Sequence, residues 1–182
     1  YPRSSAVFDL DSVAVINYVK NNLNRGIDFG GQRLGAQKNP QTKFTVGSGF
    51  EPEALNMQSE FEKLQRKIDA GVDYIMTQPS FKNTFPRSMQ QFRSQSSFLV
   101  GVMILNGLEH AKRMAAVPGV VIPDNVFSKI TSFEKIEDQK KVGADIASEQ
   151  IRWARKEGWA GIYLMSPASH KYIISVLRNG LS

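Results

Sequence analysis

The sequence predicts a parallel α/β fold, and three observations carry that reading. Short β-branched or aromatic runs alternate with longer stretches whose apolar residues step by threes and fours. Glycine or proline closes most of these runs. Phe98 to Leu105 is almost continuously apolar, which suits a strand buried on both faces of a parallel sheet. The resulting order is one helix followed by four strand-plus-helix units, and parallel neighbours need such crossovers.

The elements follow in chain order. Val13, Ile16, Val19 and Leu23 share helical spacing behind a polar entry from Asp9 to Ser12, where Asp9 and Asp11 suit the positive end of a helix. Gly26 to Gly35 is a turn-rich excursion. Lys43 to Phe50 reads as a strand ending in glycine-rich sequence. Met57, Phe61, Leu64 and Ile68 line one face of a helix that Gly71 should end. Asp73 to Gln78 is a second strand closed by Pro79, with a helix around Arg87 to Arg93 beyond it. After the strand Phe98 to Leu105 come a short helix, Leu108 to Ala116, and an apolar turn, Pro118 to Pro123. A long helix from Glu134 to Glu157 carries Val142, Ile146 and Trp153 in line and ends at Gly158. The strand Gly161 to Met165 then leads through Ser166 and Pro167 into a last helix with Tyr172, Val176 and Leu177.

Composition narrows the function. At 182 residues, with 41% hydrophobic and 22% charged, the chain can bury a core and is not a disordered tail. It has no cysteine, so disulfides, thiolate metal sites and thiol catalysis are excluded, and a reducing, cytoplasmic setting is expected. No apolar run reaches membrane-spanning length, and no membrane partner is expected. The chain starts at Tyr1 rather than Met, which points to a piece of something longer. The 23 basic against 17 acidic residues are spread along the chain with mixed signs, the pattern of a solvated face. Nucleic acid is therefore not an expected partner.

Few motifs carry chemistry. In the helix from Glu60 to Gly71, Glu62 and Arg66 stand four apart and can pair, whereas Lys63 and Lys67 stand four apart with no acid four residues on. Such a lysine pair suits either an ordinary solvated face or a phosphate-bearing ligand. Thr77 and Gln78 end an apolar strand, and ligands of parallel α/β folds gather at the carboxyl ends of strands. The Gln78 amide either meets a heterocycle edge or caps loop backbone. His110 and His170 are the only histidines, with no carboxylate at ligand spacing, so no metal site is expected and capping is the plainer role. Gly47 and Gly49 lack the third glycine of a dinucleotide fingerprint. Length alone favours an open sheet over a (β/α)8 barrel, which needs about 250 residues.

From Glu60 to Gln78 the chain resembles the methylenetetrahydrofolate reductase family, in which a helix ending L-K-x-K-x-x-A-G-A-D precedes a strand ending I-T-Q. Leu64, Lys67, Ala70, Gly71, Asp73, Thr77 and Gln78 match in register. The likeness extends through Pro52 to Ala54, Val100 to Met103, Val117 to Pro123, Val142 to Ala144 and Gly161 to Leu164. The opening Tyr1-Pro2 and Ser5 to Ser12 are closer to the version fused behind a homocysteine S-methyltransferase domain.

This resemblance replaces the open sheet with a partial (β/α)8 barrel: strands five to eight of the family barrel, spanning residues 1–182, with the amino-terminal half absent. Two unpaired edges would then call for that missing half or for self-association into a homo-oligomer. The resemblance implies FAD as cofactor, NAD(P)H as hydride donor and methylenetetrahydrofolate as substrate, within one-carbon metabolism and methionine biosynthesis. It implies Lys67 and Arg66 at the phosphate-bearing side of the flavin, with Glu60, Lys63, Glu51 and Ala54 nearby. It places Phe8 and Asp9 in a flavin-contacting stretch and Gln78 at the pterin or nicotinamide. Glu51 stands where the family often has histidine, His110 where it has a second substrate-side glutamine, and Ser169 near its folate-tail arginine. The acid–base glutamate and the aspartate beside the flavin ring fall upstream, so no catalytic residue is expected here and the piece alone should be inactive. A non-catalytic relative that binds a pterin or a partner is the alternative.

Overall fold

The computed structural model of the protein describes residues 9–35, 40–167 and 169–182; Phe8 lies outside them. Helix α1 (Ser12–Asn21) begins where Asp11 accepts the Ala14 N–H at 2.7 Å, a side-chain N-cap, so Asp11 rather than Asp9 starts it. At its other end the Lys20 ammonium meets the Asp73 carboxylate at 2.8 Å, fixing the helix to the sheet.

The expected first strand is shorter than its sequence suggests: β1 is Gly47–Phe50. The residues before it spend their polar groups elsewhere. Asn24 Oδ1 accepts from the Thr42 hydroxyl and the Phe44 N–H, and the Asp73 carboxylate accepts from the Val46 N–H. Helix α2 (Met57–Asp69) is closed by Gly71 in the left-handed region at φ 91°, the conformation glycine adopts without a Cβ penalty. Strand β2 (Tyr74–Thr77) follows, and the helix expected around Arg87 to Arg93 is a 3₁₀ helix, Arg87–Phe92. Strand β3 (Ser97–Met103) leads to α3 (Leu108–Ala115). A helix not anticipated from the sequence, α4 (Asp124–Thr131), starts directly after Pro123 and buries Val126 and Ile130, four apart. Helix α5 (Ile136–Lys156), strand β4 (Gly161–Met165) and helix α6 (His170–Leu181) complete the order.

All four strands are parallel, and their spatial order is β1-β2-β3-β4. Doubly wound sheets reverse strand order at a switch point. Here order in space follows order in the chain without reversal, the winding of consecutive strands in a (β/α)8 barrel. The open-sheet expectation from length is thereby corrected.

The register separates two faces. Ser48, Ile75 and Phe98 form one row, flanked on the same face by Phe50 with Thr77 and by Val100 with Ile162. Phe50, Ile75, Phe98 and Val100 are fully buried there, in one core with Leu64 of α2, Ile151 of α5 and Val176 of α6. Gly49, Met76, Leu99 and Gly161 form a row across all four strands on the opposite face, and none of them is fully buried. Tyr163, also on that face, is 43% exposed. At Gly101 the chain has no room for a side chain: an added Cβ would collide with the Thr77 carbonyl, while the Gly101 N–H donates to Thr77 Oγ1 at 2.8 Å.

An aromatic group closes the lower part of the core. Phe85 stands edge-on to both Trp153 and Trp159, and Phe98 edge-on to Trp159. The Arg93 guanidinium lies 4.3 Å from the Trp159 ring and donates to the Glu157 and Gly158 carbonyls, so it fastens the carboxyl end of α5.

Candidate functional site

The carboxyl end of β1 organises the site. In a parallel strand successive carbonyls point to opposite sides. The Phe50 carbonyl accepts the Gln78 N–H at 2.8 Å, so it faces β2, and the Gly49 carbonyl faces the open edge of the sheet. There it accepts from the Lys67 ammonium at 2.6 Å. Lys67 rises from the last turn of α2, and helical side chains lean toward the helix amino end, which lets it reach this height. Two consecutive carbonyls of one strand thus hold Lys67 and the backbone of Gln78 at the same end of the sheet.

Lys67 is only 5% exposed. Burial pushes its pKa below the ordinary 10.5; Glu60 opposes that, the Lys63 charge adds to it, and Glu51 opposes it again. Glu60, 7% exposed, accepts the Glu51 N–H at 3.0 Å and lies 3.5 Å from the Lys63 ammonium. The Ala54 N–H donates to the Glu51 carbonyl at 3.2 Å, folding residues 51–54 into a tight turn above α2. Lys67, Lys63, Glu60, Glu51 and Ala54 are therefore one cluster. The expectation of an uncompensated lysine pair is corrected: the compensating acid sits three residues before Lys63, and a loop carboxylate adds to it. Glu62 accepts from Gln58 Nε2 at 2.9 Å, and no Glu62–Arg66 ion pair forms among the described residues; Arg66 is exposed on the last turn of α2.

The Gln78 side chain is exposed at the end of β2. Beside it, the position where a Cβ of Gly49 would stand has no heavy atom within 4 Å, so the face opens there into free space. Asp9 is exposed just before α1, and the neighbouring residues Leu10 to Ser12 share a groove with Val46 to Ser48. That places it by the first half of β1, apart from the Lys67 cluster.

His110 is buried in the first turn of α3, where its Nδ1 accepts the Asn106 N–H at 3.0 Å. It acts as a cap where Gly107 supplies no side chain. Burial, reinforced by Arg113, lowers its pKa from 6.5, so the ring is neutral at pH 7 with the proton on Nε2. Ser169 is the exposed N-cap of α6 and lines a cavity of about 330 Å³ with Asn106, Lys140 and Tyr172 at the ends of β3 and β4. Sequence reasoning missed Asn106 and Lys140, which carry no motif. Among the described residues no three His, Asp or Glu side chains gather as for a metal, and no helix is long and apolar enough to cross a membrane.

Comparison with known proteins gives a consistent picture. A family model for methylenetetrahydrofolate reductase matches residues 43–180. The chain is 27% identical over 133 residues to the 5,10-methylenetetrahydrofolate reductase of Salmonella typhimurium, covering 68% of this chain and 44% of that protein. The Escherichia coli protein of the same name is equally similar. A probable methylenetetrahydrofolate reductase (NADPH) of Caenorhabditis elegans is 24% identical over 141 residues, 72% of this chain and 20% of its own length. The chain spans less than half the length of these relatives.

Proposed function

The chain belongs to the methylenetetrahydrofolate reductase family, and on that premise we propose that it supplies the second half of a barrel domain reducing 5,10-methylenetetrahydrofolate to 5-methyltetrahydrofolate. NAD(P)H would be the donor and FAD the carrier. One observation supports this best: Lys67 and Gln78 meet neighbouring carbonyls of β1 at the carboxyl end of the sheet, next to the open space before Gly49.

The residues present suit FAD in kind. At Gly49 no heavy atom lies within 4 Å of where a Cβ would stand, so a ligand could approach the strand backbone there. The exposed Gln78 amide offers a donor and an acceptor to a heterocycle edge. Lys63 and Arg66, exposed on α2, together with Lys67 would hold the phosphates. When bound, FAD would supply two-step hydride transfer. This chain's own residues bind and orient: Glu60 fixes the turn at Glu51, Lys67 keeps a positive charge at the strand edge, and Gln78 sets the ring plane. The acid–base group would come from residues upstream of this sequence, in the barrel's first half and behind a possible homocysteine S-methyltransferase domain.

The test is flavin content. A chain extended upstream through four further strands is expected to purify yellow and reduce methylenetetrahydrofolate, and the 182-residue chain to do neither. Lys67→Ala in the extended chain should weaken flavin retention about tenfold or more, the scale of one charge-assisted hydrogen bond. A colourless extended protein would overturn the reading. A second reading is a non-catalytic relative, favoured by His110, which stands where the family has a substrate-side glutamine and is buried as a cap of the Asn106 N–H. It predicts bound flavin that reduced nicotinamide never bleaches.

A further inference from the structure

The segment that carries Gln78 is tied to the loop after β1 at two points. The Gln78 N–H donates to the Phe50 carbonyl at 2.8 Å. Two residues later, the Ser80 hydroxyl donates to Glu53 Oε1 at 2.7 Å. Residues 50–53 and 78–80 therefore close into a ring through two hydrogen bonds. Pro52 and Pro79 are members of that ring, and each has φ fixed by its own side chain, which removes much of the freedom left to it. Ser80 is also anchored from outside: it is 6% exposed, bridges Val121 in parallel and accepts at its carbonyl from the Gln150 amide.

Glu53 is the joint between the two loops. Its side chain is 9% exposed, and the Lys82 ammonium pairs with its second oxygen. One carboxylate after β1 thus grips two residues of the loop after β2, Ser80 and Lys82, just past Gln78. A carboxylate withdrawn from water is tolerated where both oxygens are matched, and these two residues match them. We propose that Glu53 is a positioning residue for Gln78. It touches no ligand; it fixes the end of β2 so that the Gln78 amide meets a heterocycle edge at a set angle. This rests on the reading of Gln78 as a pterin or nicotinamide contact.

Two measurements test it. In the 182-residue chain, 15N relaxation follows the backbone amide of Gln78. Its order parameter should lie near the rigid value of about 0.85 and fall below about 0.6 in Glu53→Ala, with Ile75 and Val100 unchanged. Ser80→Ala cuts the same tie while leaving Glu53 paired with Lys82, and should loosen Gln78 equally if Glu53→Ala fails to fold. Glu53→Gln, whose amide oxygen can still accept from Ser80, should restore the order. In the chain extended upstream, Glu53→Ala should lower kcat/KM for methylenetetrahydrofolate roughly tenfold to a hundredfold with flavin content kept. Added to Gln78→Ala it should cost nothing further, because the two residues act as one. An equally rigid Gln78 in Glu53→Ala and Ser80→Ala would overturn the proposal, as would additive losses in the double variant; Glu53 would then be a structural tie alone. A colourless extended protein would overturn the flavin reading instead, and the relaxation measurement would still decide the role of Glu53.

Discussion

The two faces of the sheet are built from the same four strands and differ in everything else. One carries Phe50, Ile75, Phe98 and Val100, none more than 2% exposed, under helices that this chain provides. The other carries the row Gly49, Met76, Leu99 and Gly161, none of them fully buried, with Tyr163 at 43% exposure, and is packed only toward its carboxyl end, where Met103 joins residues of α3, α4 and α5. The contrast separates stability from binding. The covered face holds the fold together, and the open one leaves room for a flat ligand beside Lys67 and Gln78.

The strongest way to break this contrast is to truncate both faces. Ile75→Ala should cost about 2–5 kcal/mol in denaturant unfolding, the usual range for emptying a fully buried site. Met76→Ala, one residue along and only partly buried, should cost well under half of that; equal losses would mean that the open face is packed in solution. Next in size is Gly101→Ala, whose methyl would strike the Thr77 carbonyl; a loss of about 1–3 kcal/mol is expected, with the carboxyl end of β2 displaced.

The remaining tests use pH. The folded state holds Lys67 with a pKa below 10.5, so it binds fewer protons than the unfolded chain between those two values. Stability should therefore rise with pH through that alkaline window, and Lys67→Met should flatten the rise. His110 also titrates below its ordinary 6.5 in the fold. Its contribution is complete above pH 6.5 and falls away as pH drops toward the folded value, a smaller change that His110→Gln should remove. Unfolding midpoints measured across pH check both.

Much of the architecture was legible in the sequence because the periodicity of the helix-covered face is local. Phe61, Leu64 and Ile68 declare α2, and Gly71 declares its end. Lys43 to Val46 misled because Asn24 and Asp73, distant in sequence, take up that segment's hydrogen bonds. The α4 helix was hidden behind Pro123, although Val126 and Ile130 carried its spacing. In the candidate site, Lys67 and Gln78 stood out by their positions beside a strand end. The roles of Glu60 and Glu51 did not, because those carboxylates meet the lysines only after a loop folds back over α2.

Both tryptophans of the chain, Trp153 and Trp159, sit 6.4 Å apart in the aromatic group beneath Arg93. Tryptophan fluorescence, excited apart from the tyrosines, therefore watches a single junction, where α5 meets β3 and the 3₁₀ segment. An emission change on heating will report the loss of that junction. Events at the opposite face will pass unseen by it, except through energy transfer to a chromophore bound there.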